Sequence, residues 1–358
     1  MRNSECGREG KIMPKVTVLM PVYNAGKFLR EAVDSILRQS FTGFEFLIID
    51  DGSTDDSQSI IRSYDDSRIR FVQNESNLGV ALTLNKGLSL AQGQYIARMD
   101  GDDVSEPERL YKQVDFLENK KKLGLCGSWI LNFNSKVRYV DRFPVGEDCI
   151  KASIILRNPI AHPTVMMRTE MFRKHGLEYD PNCLAAQDYE LWARCVNYFP
   201  IDNIQEPLLR FRINEGGITH TRFKDANKHA LFIQHHELNK LGIEVTDQEL
   251  HFHRDVGNGS GVCSLEELKK AMEWLLRLIS VNDRTQIYSY EGLLKAVASS
   301  WFRMNLNSSG IGLGVIRQYR KPFFRSYCKP SRREMIHFFV NALLRINKTP
   351  TGQLLGSS

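Results

Sequence analysis

The stretch Phe44–Ile49 reads F-E-F-L-I-I, an almost unbroken apolar run that stops at Asp50-Asp51-Gly52-Ser53-Thr54-Asp55. A strand with one face in water alternates apolar and polar residues, so such a run belongs to a parallel sheet covered on both faces. The surrounding chain fits that sheet. Val16–Met20 is a second buried strand, closed by Pro21-Val22-Tyr23-Asn24, and Leu29, Ala32, Val33, Ile36 and Leu37 follow at helical spacing. A helix around 57–64, a strand at 68–72, a helix from Asn77-Leu78-Gly79 through Ala91 and a strand at Tyr95–Met99 complete the pattern. Four strands alternating with three helices predict a doubly wound α/β sheet. Ligands of such sheets sit outside the carboxyl ends of the strands, where segments 21–24, 50–55 and 100–103 all fall.

The last of these segments carries Asp100, Asp102 and Asp103. Three acids within four residues repel one another. Magnesium or manganese, which favour oxygen ligands completed by phosphate and water, would neutralise them; a solvated acidic turn is the other reading. Ser105-Glu106-Pro107-Glu108 follows as a capping-box pattern, opening a helix with Leu110, Val114 and Leu117 on one face. Acids held between a strand and a capped helix favour a ligand site. The chain has no G-x-x-x-x-G-K-[ST] loop, which excludes a P-loop NTPase, and no G-x-G-x-x-G follows the first strand, which argues against a dinucleotide dehydrogenase. Gly310-x-Gly312-x-Gly314 lacks a preceding strand and reads as a loop or helix break. Without a glycine cradle a metal must carry the phosphate charge, which suits a sugar nucleotide.

Together these segments resemble glycosyltransferase family 2, the inverting sugar-nucleotide transferases of GT-A fold. The matching pieces are P-V-Y-N at 21–24, D-D-G-S-T-D at 50–55, N-L-G at 77–79, G-Q-Y-I-A-R-M-D-G-D-D at 93–103 and Q-D-Y-E-L-W at 187–192. A-H-P-T-V-M-M-R at 161–168 resembles bacterial members that build surface polysaccharides such as O-antigen or capsule. The resemblance implies a GT-A doubly wound mixed sheet with a helical C-terminal region. It implies a nucleotide-sugar pocket of Pro21, Tyr23, Asn24, Asn77 and Gly79, with Asp50 or Asp51 accepting a hydrogen bond from uracil or ribose. Asp100 and Asp102 would face ribose and a Mn2+ or Mg2+ ion, with Asp103 as the rival metal ligand. Asp188 would be the general base, although an acid in the first turn of a helix is favoured by the helix dipole anyway, and that dipole would lower its pKa. Gln187 stands where the family more often has an acid. Asn214, after Phe211-Arg212, stands where many members have a histidine, and no ligand is assigned there. Plainer readings make Tyr23 a core aromatic and Asp51 a turn cap. His162 suits structure and acceptor binding equally, and His235-His236 and His251-x-His253 read as solvated.

The 358 residues, 42% hydrophobic and 25% charged, suit a catalytic domain plus an appendage. No apolar run approaches the roughly 18 residues of a membrane span, and no signal-peptide pattern is visible. The seven cysteines lack metal-ligand spacing and read as reduced, core-packed thiols of a cytosolic protein. The expected organisation is a disordered lead-in at 1–14, a catalytic domain at 15–220 and helices over 221–358. Within the last, Ser264–Glu267 and Ser331–Glu334 are capping boxes. Residues 303–348 hold ten Lys/Arg against one acid, Glu334, a net of +9 that leaves −3 on the rest of the chain. With Trp301, Phe302, Tyr319, Phe323, Phe324, Tyr327, Phe338 and Phe339 in or beside it, this tail suggests contact with an anionic membrane on its inner face. A solvated basic helix pair is the alternative, and no nucleic-acid module is present. The expected reaction is inverting, metal-dependent transfer from a nucleotide-diphospho-sugar, UDP-linked by preference, to a saccharide or lipid-linked saccharide. A sugar nucleotidyltransferase and a non-catalytic sugar-nucleotide binder are the alternatives.

Overall fold

In the computed structural model, which describes residues 13–214, 223–320, 326–328, 330 and 332–346, the four anticipated strands form a parallel half-sheet. They are β1 (Val16–Val22), β2 (Phe44–Asp50), β3 (Ile69–Gln73) and β4 (Tyr95–Arg98), in spatial order β3-β2-β1-β4. The apolar runs divide by parity, as the pleat requires. Val16, Val18 and Met20 of β1 join Phe46 and Ile48 in one core with Leu29, Val33 and Ile36 of α1 (Gly26–Leu37). Leu19, Leu47 and Ile49 point to the other face, against Leu84 and Leu88 of α3 (Val80–Leu90). α2 (Ser57–Arg62) links β2 to β3. Strand β8 (Met166–Arg168) then pairs antiparallel with β4, and β6 (Leu125–Phe133), β9 (Ile201–Arg212) and β5 (Val104–Ser105) continue the sheet, with β7 (Arg138–Asp141) on β6. The mixed sheet is the expected one. Between its strands lie α4 (Arg109–Asn119), α5 (Glu147–Ser153), α6 (Thr169–Lys174) and α7 (Gln187–Cys195).

The capping box expected at Ser105 does not form. Ser105 belongs to β5, opposite Leu209, with its hydroxyl accepting from Gln39, and the N-cap of the next helix is Glu108. Helix α4 starts at Arg109 without a side-chain cap, and Gln39 Oε1 accepts the Leu110 N–H instead. Strand pairing and a tertiary contact override the local signal.

Among the described residues six further helices follow: α8 (Phe223–Leu241), α9 (Asp247–Asn258), α10 (Leu265–Thr285), α11 (Tyr290–Asn307), α12 (Gly314–Tyr319) and α13 (Arg332–Leu344). Ser264 and Glu267 make the expected capping box at α10, whereas Ser331 lies outside the described residues. The glycine triplet falls, as expected, at a helix break, with Gly312 at φ 96° before α12. The helices share one core with Ala152, Ile155 and Leu156, so they are seated directly on α5 and the turn after it. A Cβ at Gly257 would lie 2.1 Å from the Leu156 carbonyl oxygen, so only glycine allows this backbone approach.

Several expectations need correction here. Trp301, Phe302, Tyr319 and Phe338 are buried in the helical core and cannot reach a membrane. Phe323, Phe324 and residues 1–12 of the lead-in lie outside the described residues. Cys126, Cys149, Cys183 and Cys195 are buried, but Cys263 is exposed. His235, His236 and His251 are exposed, but His253 is fully buried. Its Nε2 donates to the Ile155 carbonyl at 2.7 Å and its Nδ1 accepts the Trp274 indole N–H at 2.9 Å, a set only the neutral ring can satisfy.

Burial pushes the His253 pKa down to about 4. The unfolded chain protonates it first, near 6.5. Its stabilising effect is therefore complete above pH 6.5 and is lost as pH falls toward 4, by about 3 kcal/mol in full. Urea melts at pH 7 and pH 5 should show the loss. His253→Ala should lower stability at pH 7 by about 2–4 kcal/mol, leaving two buried groups unpaired, and should flatten this part of the pH slope. An unchanged slope would place the linkage elsewhere.

Candidate active site

The loops after β1 and β2 lock together at the carboxyl edge of the sheet. Asp51 is their hub: Oδ1 accepts from Asn74 at 2.8 Å and from the Leu78 N–H at 2.9 Å, and Oδ2 from the Gly79 N–H at 3.0 Å. Both its oxygens thus already hold the 77–79 loop, the arrangement expected of a turn cap. Gly52 has φ 74°, and a Cβ there would lie 2.7 Å from the Ser76 backbone, so the loop closes only around glycine. Asn24, itself left-handed at φ 49°, accepts the Thr54 N–H at 2.8 Å and donates its backbone N–H to Ser53. Asp50 is buried. Its Oδ2 takes Gln58 at 2.9 Å, while Oδ1 has no partner among the described residues. Tyr23 is 51% exposed at the end of β1, so it is not a core aromatic. Pro21 pairs with Ile49 behind it, and Asn77 is exposed in the neighbouring loop.

The three acids after β4 converge, with carboxylate oxygens within 4.8 Å of one another. They are not equivalent. Asp100 is clamped at both oxygens by the buried Arg98 guanidinium, at 2.5 Å. Asp103 is 1% exposed; its Oδ1 accepts the Arg212 N–H at 2.8 Å and its Oδ2 has no partner among the described residues. Asp102 is hydrogen-bonded to the Asn214 side chain. Burial, with the Asp100 charge second, pushes Asp102 up to about 6 and Asp103 well above the ordinary carboxylate range. Hard oxygen donors, an orphaned buried carboxylate oxygen and mutual repulsion are what a divalent cation would relieve, so the residues fit Mg2+ or Mn2+.

Arg212 fastens this turn to the far strand. Its Nε donates to the Asp102 carbonyl at 2.8 Å and Nη2 reaches Glu31, while its guanidinium lies 4.3 and 4.6 Å from the Phe28 and Phe133 ring centroids. The buried Arg109 donates to the Arg98 carbonyl at 2.6 Å from behind.

Asp188 sits in the first turn of α7, after Ala186 in the left-handed region at φ 64°. Its Oδ2 accepts Asn158 Nδ2 at 2.7 Å. The helix start was expected to lower its pKa. Burial outweighs the backbone and Asn158 hydrogen bonds, and the pKa is raised. The Arg98 charge acts on Asp188 as well as on Asp102 and Asp103, which puts base candidate and acid cluster in one electrostatic neighbourhood. His162 is buried beside Trp192, with Nε2 2.9 Å from the Tyr179 hydroxyl; that is a structural position. Asn158 carried no sequence signal beyond lying just before the A-H-P-T block, and Asn214 was left unassigned.

The family model described as "Glycosyl transferase family 2" matches residues 17–176. A glycosyltransferase of Methanocaldococcus jannaschii, MJ1057, is 35% identical over 208 residues, covering 56% of this chain and 71% of the relative. The chain belongs to glycosyl transferase family 2. Within the family, Bacillus subtilis EpsE is 36% identical over 62% of this chain and 81% of its own length. Bacillus subtilis TuaG, named for teichuronic acid biosynthesis, is 31% identical over 60% of this chain and 85% of its own length. The fold matches S. aureus TarS 1–349 in complex with UDP, with TM-score 0.51 and 18% identity over 87% of this chain and 89% of that one. It also matches the mannosyltransferase PcManGT of Pyrobaculum calidifontis in complex with GDP-Man and Mn2+, with TM-score 0.51 and 16% identity over 93% and 88%.

The protein is thus a glycosyltransferase. The family model stops at residue 176, so Asp188, Arg212 and Asn214 lie beyond it and rest on the site's geometry. Of the residues anticipated from sequence, Asp100, Asp102 and Asp103 form one cluster. Asp50, Asp51, Asn24 and Gly79 belong to the interlocked loops beside the exposed Tyr23.

Proposed function

We propose that this family 2 transferase moves a sugar, with inversion, from a nucleotide-diphospho-sugar to a hydroxyl of a saccharide or lipid-linked saccharide. The observation that carries it is the carboxylate cluster at 100–103, after β4 at the carboxyl edge of the sheet, with a buried, unpartnered oxygen on Asp103 among the described residues. In the reaction the acceptor oxygen attacks the anomeric carbon while Asp188 takes its proton. The bond from that carbon to the diphosphate oxygen breaks with its electron pair going to the leaving group. Asn158 holds the Asp188 carboxylate in place. A divalent cation held by Asp102 and Asp103 would supply positive charge to the departing diphosphate. Asp100, tied to Arg98, is left to face the ribose. The exposed Tyr23 ring offers a stacking surface for the base.

A UDP-sugar donor is favoured by the UDP and UDP-GlcNAc complexes of TarS, and Mn2+ by its presence with PcManGT. A polysaccharide acceptor is favoured by the likeness to TuaG, named for teichuronic acid biosynthesis. Residues 15–220 would carry the chemistry and 221–358 would support it, at the inner face of a cell membrane.

A screen of UDP- and GDP-sugars for nucleoside diphosphate release tests this reading. One donor should give release that requires Mn2+ or Mg2+ and stops in chelator. Pyrophosphate formation from a nucleoside triphosphate and a sugar phosphate would point to a nucleotidyltransferase. Donor binding without turnover across acceptors would point to a binder. Either result would overturn the proposal.

A further inference from the structure

We propose that the outward face of α13 docks the protein on an anionic lipid bilayer. The inference deepens the membrane-side placement proposed above and rests on it only for the acceptor. Helix α13 is seated by Phe338, fully buried with its ring edge-on to Phe302 and Tyr319, and by Asn341 and Ala342. The opposite side should then be polar, as on a surface helix with one apolar stripe. It is not. Ile336, Val340, Leu343 and Leu344 recur at i, i+4, i+7 and i+8 and are 64, 45, 66 and 61% exposed.

The charge around this stripe says what covers it. Arg332 and Arg333 are exposed at the start of the helix and Arg345 just past its end. The helix's one acid, Glu334, is turned to Arg142 at 2.8 Å, so among the described residues the outward face carries no negative charge. An aliphatic middle with cationic ends matches a bilayer surface, where alkyl groups enter the acyl boundary and guanidinium groups meet anionic headgroups. Among the described residues no helix is long and apolar enough to cross a membrane, so this contact is a surface one. Of the aromatic anchors expected from sequence, Trp301, Phe302, Tyr319 and Phe338 are buried and Tyr327 is exposed, while on α13 the outward anchors are aliphatic.

Co-sedimentation of the full chain with phosphatidylcholine vesicles, with and without phosphatidylglycerol, tests the proposal. Binding should need the anionic lipid and weaken as salt rises. Val340→Glu with Leu343→Glu should reduce it about tenfold or more with an unchanged thermal melt, both side chains being solvent-exposed. Arg332→Glu with Arg333→Glu should remove most of the salt-sensitive part. Nucleoside diphosphate release in solution should be unaltered in both variants, so loss of docking and failure of the transferase reading are separate results. Equal binding to neutral vesicles, no binding to either kind, or unchanged binding by the first variant would overturn the proposal. So would sedimentation showing that the face instead joins two copies of the chain.

Discussion

Asp188→Asn should leave nucleotide-sugar affinity close to wild type while lowering turnover by about two orders of magnitude or more. The substitution keeps size and shape, and its amide oxygen can still accept the 2.7 Å bond from Asn158, so the start of α7 stays in place. What is lost is the capacity to take a proton. Because burial raises the Asp188 pKa, the acid limb of the wild-type turnover profile should lie higher than for an ordinary aspartate, with activity rising as the group ionises. Asn158→Ala removes a bond that favours the carboxylate and should move that limb to higher pH, so alkaline buffer partly restores its turnover. Initial rates across pH under saturating donor check both. Wild-type turnover in Asp188→Asn would place the base elsewhere.

Asp103→Asn should reduce transfer by about three orders of magnitude, with Asp102→Asn close behind, whereas donor loading should fall most in the presence of metal. The asparagine can keep the contact of Oδ1 with the Arg212 N–H and so preserve the turn. It replaces the unpartnered Oδ2, an anionic oxygen able to ligate a cation, with an amide NH2 that cannot. Removing one of several mutually repelling buried carboxylates should leave the thermal melt at or above that of wild type, which separates lost chemistry from unfolding. Steady-state assays with saturating Mn2+ measure the loss. Near-normal transfer in both variants would exclude the cluster from the reaction.

The parallel half-sheet was legible because each strand announces itself over a few consecutive residues and each ends in a polar segment. The acid cluster was legible for the same reason. The supports of the site were not, because they arrive from far along the chain. Arg212 meets Asp103 across 109 positions and Asn158 meets Asp188 across 30, and neither has a local pattern. Ser105 shows the converse, a sound local cap signal overruled by strand pairing. His253 misled because His251 and Arg254 close beside it are polar, while its helix turns it inward onto Ile155 and Trp274. In the tail, composition gave charge and aromatic content but not which side of each helix faces the core. Phe338 went inward, and the aliphatic residues around it stayed outside.

Titration of Mn2+ into the protein, with free ion followed by electron paramagnetic resonance in the presence of nucleoside diphosphate, bears most directly on the metal-assisted site. One tightly held ion per chain is the expected result in wild type and in Asp188→Asn, with that ion lost in Asp102→Asn and Asp103→Asn. An ion that persists in both of these variants, or none in wild type, would contradict the account.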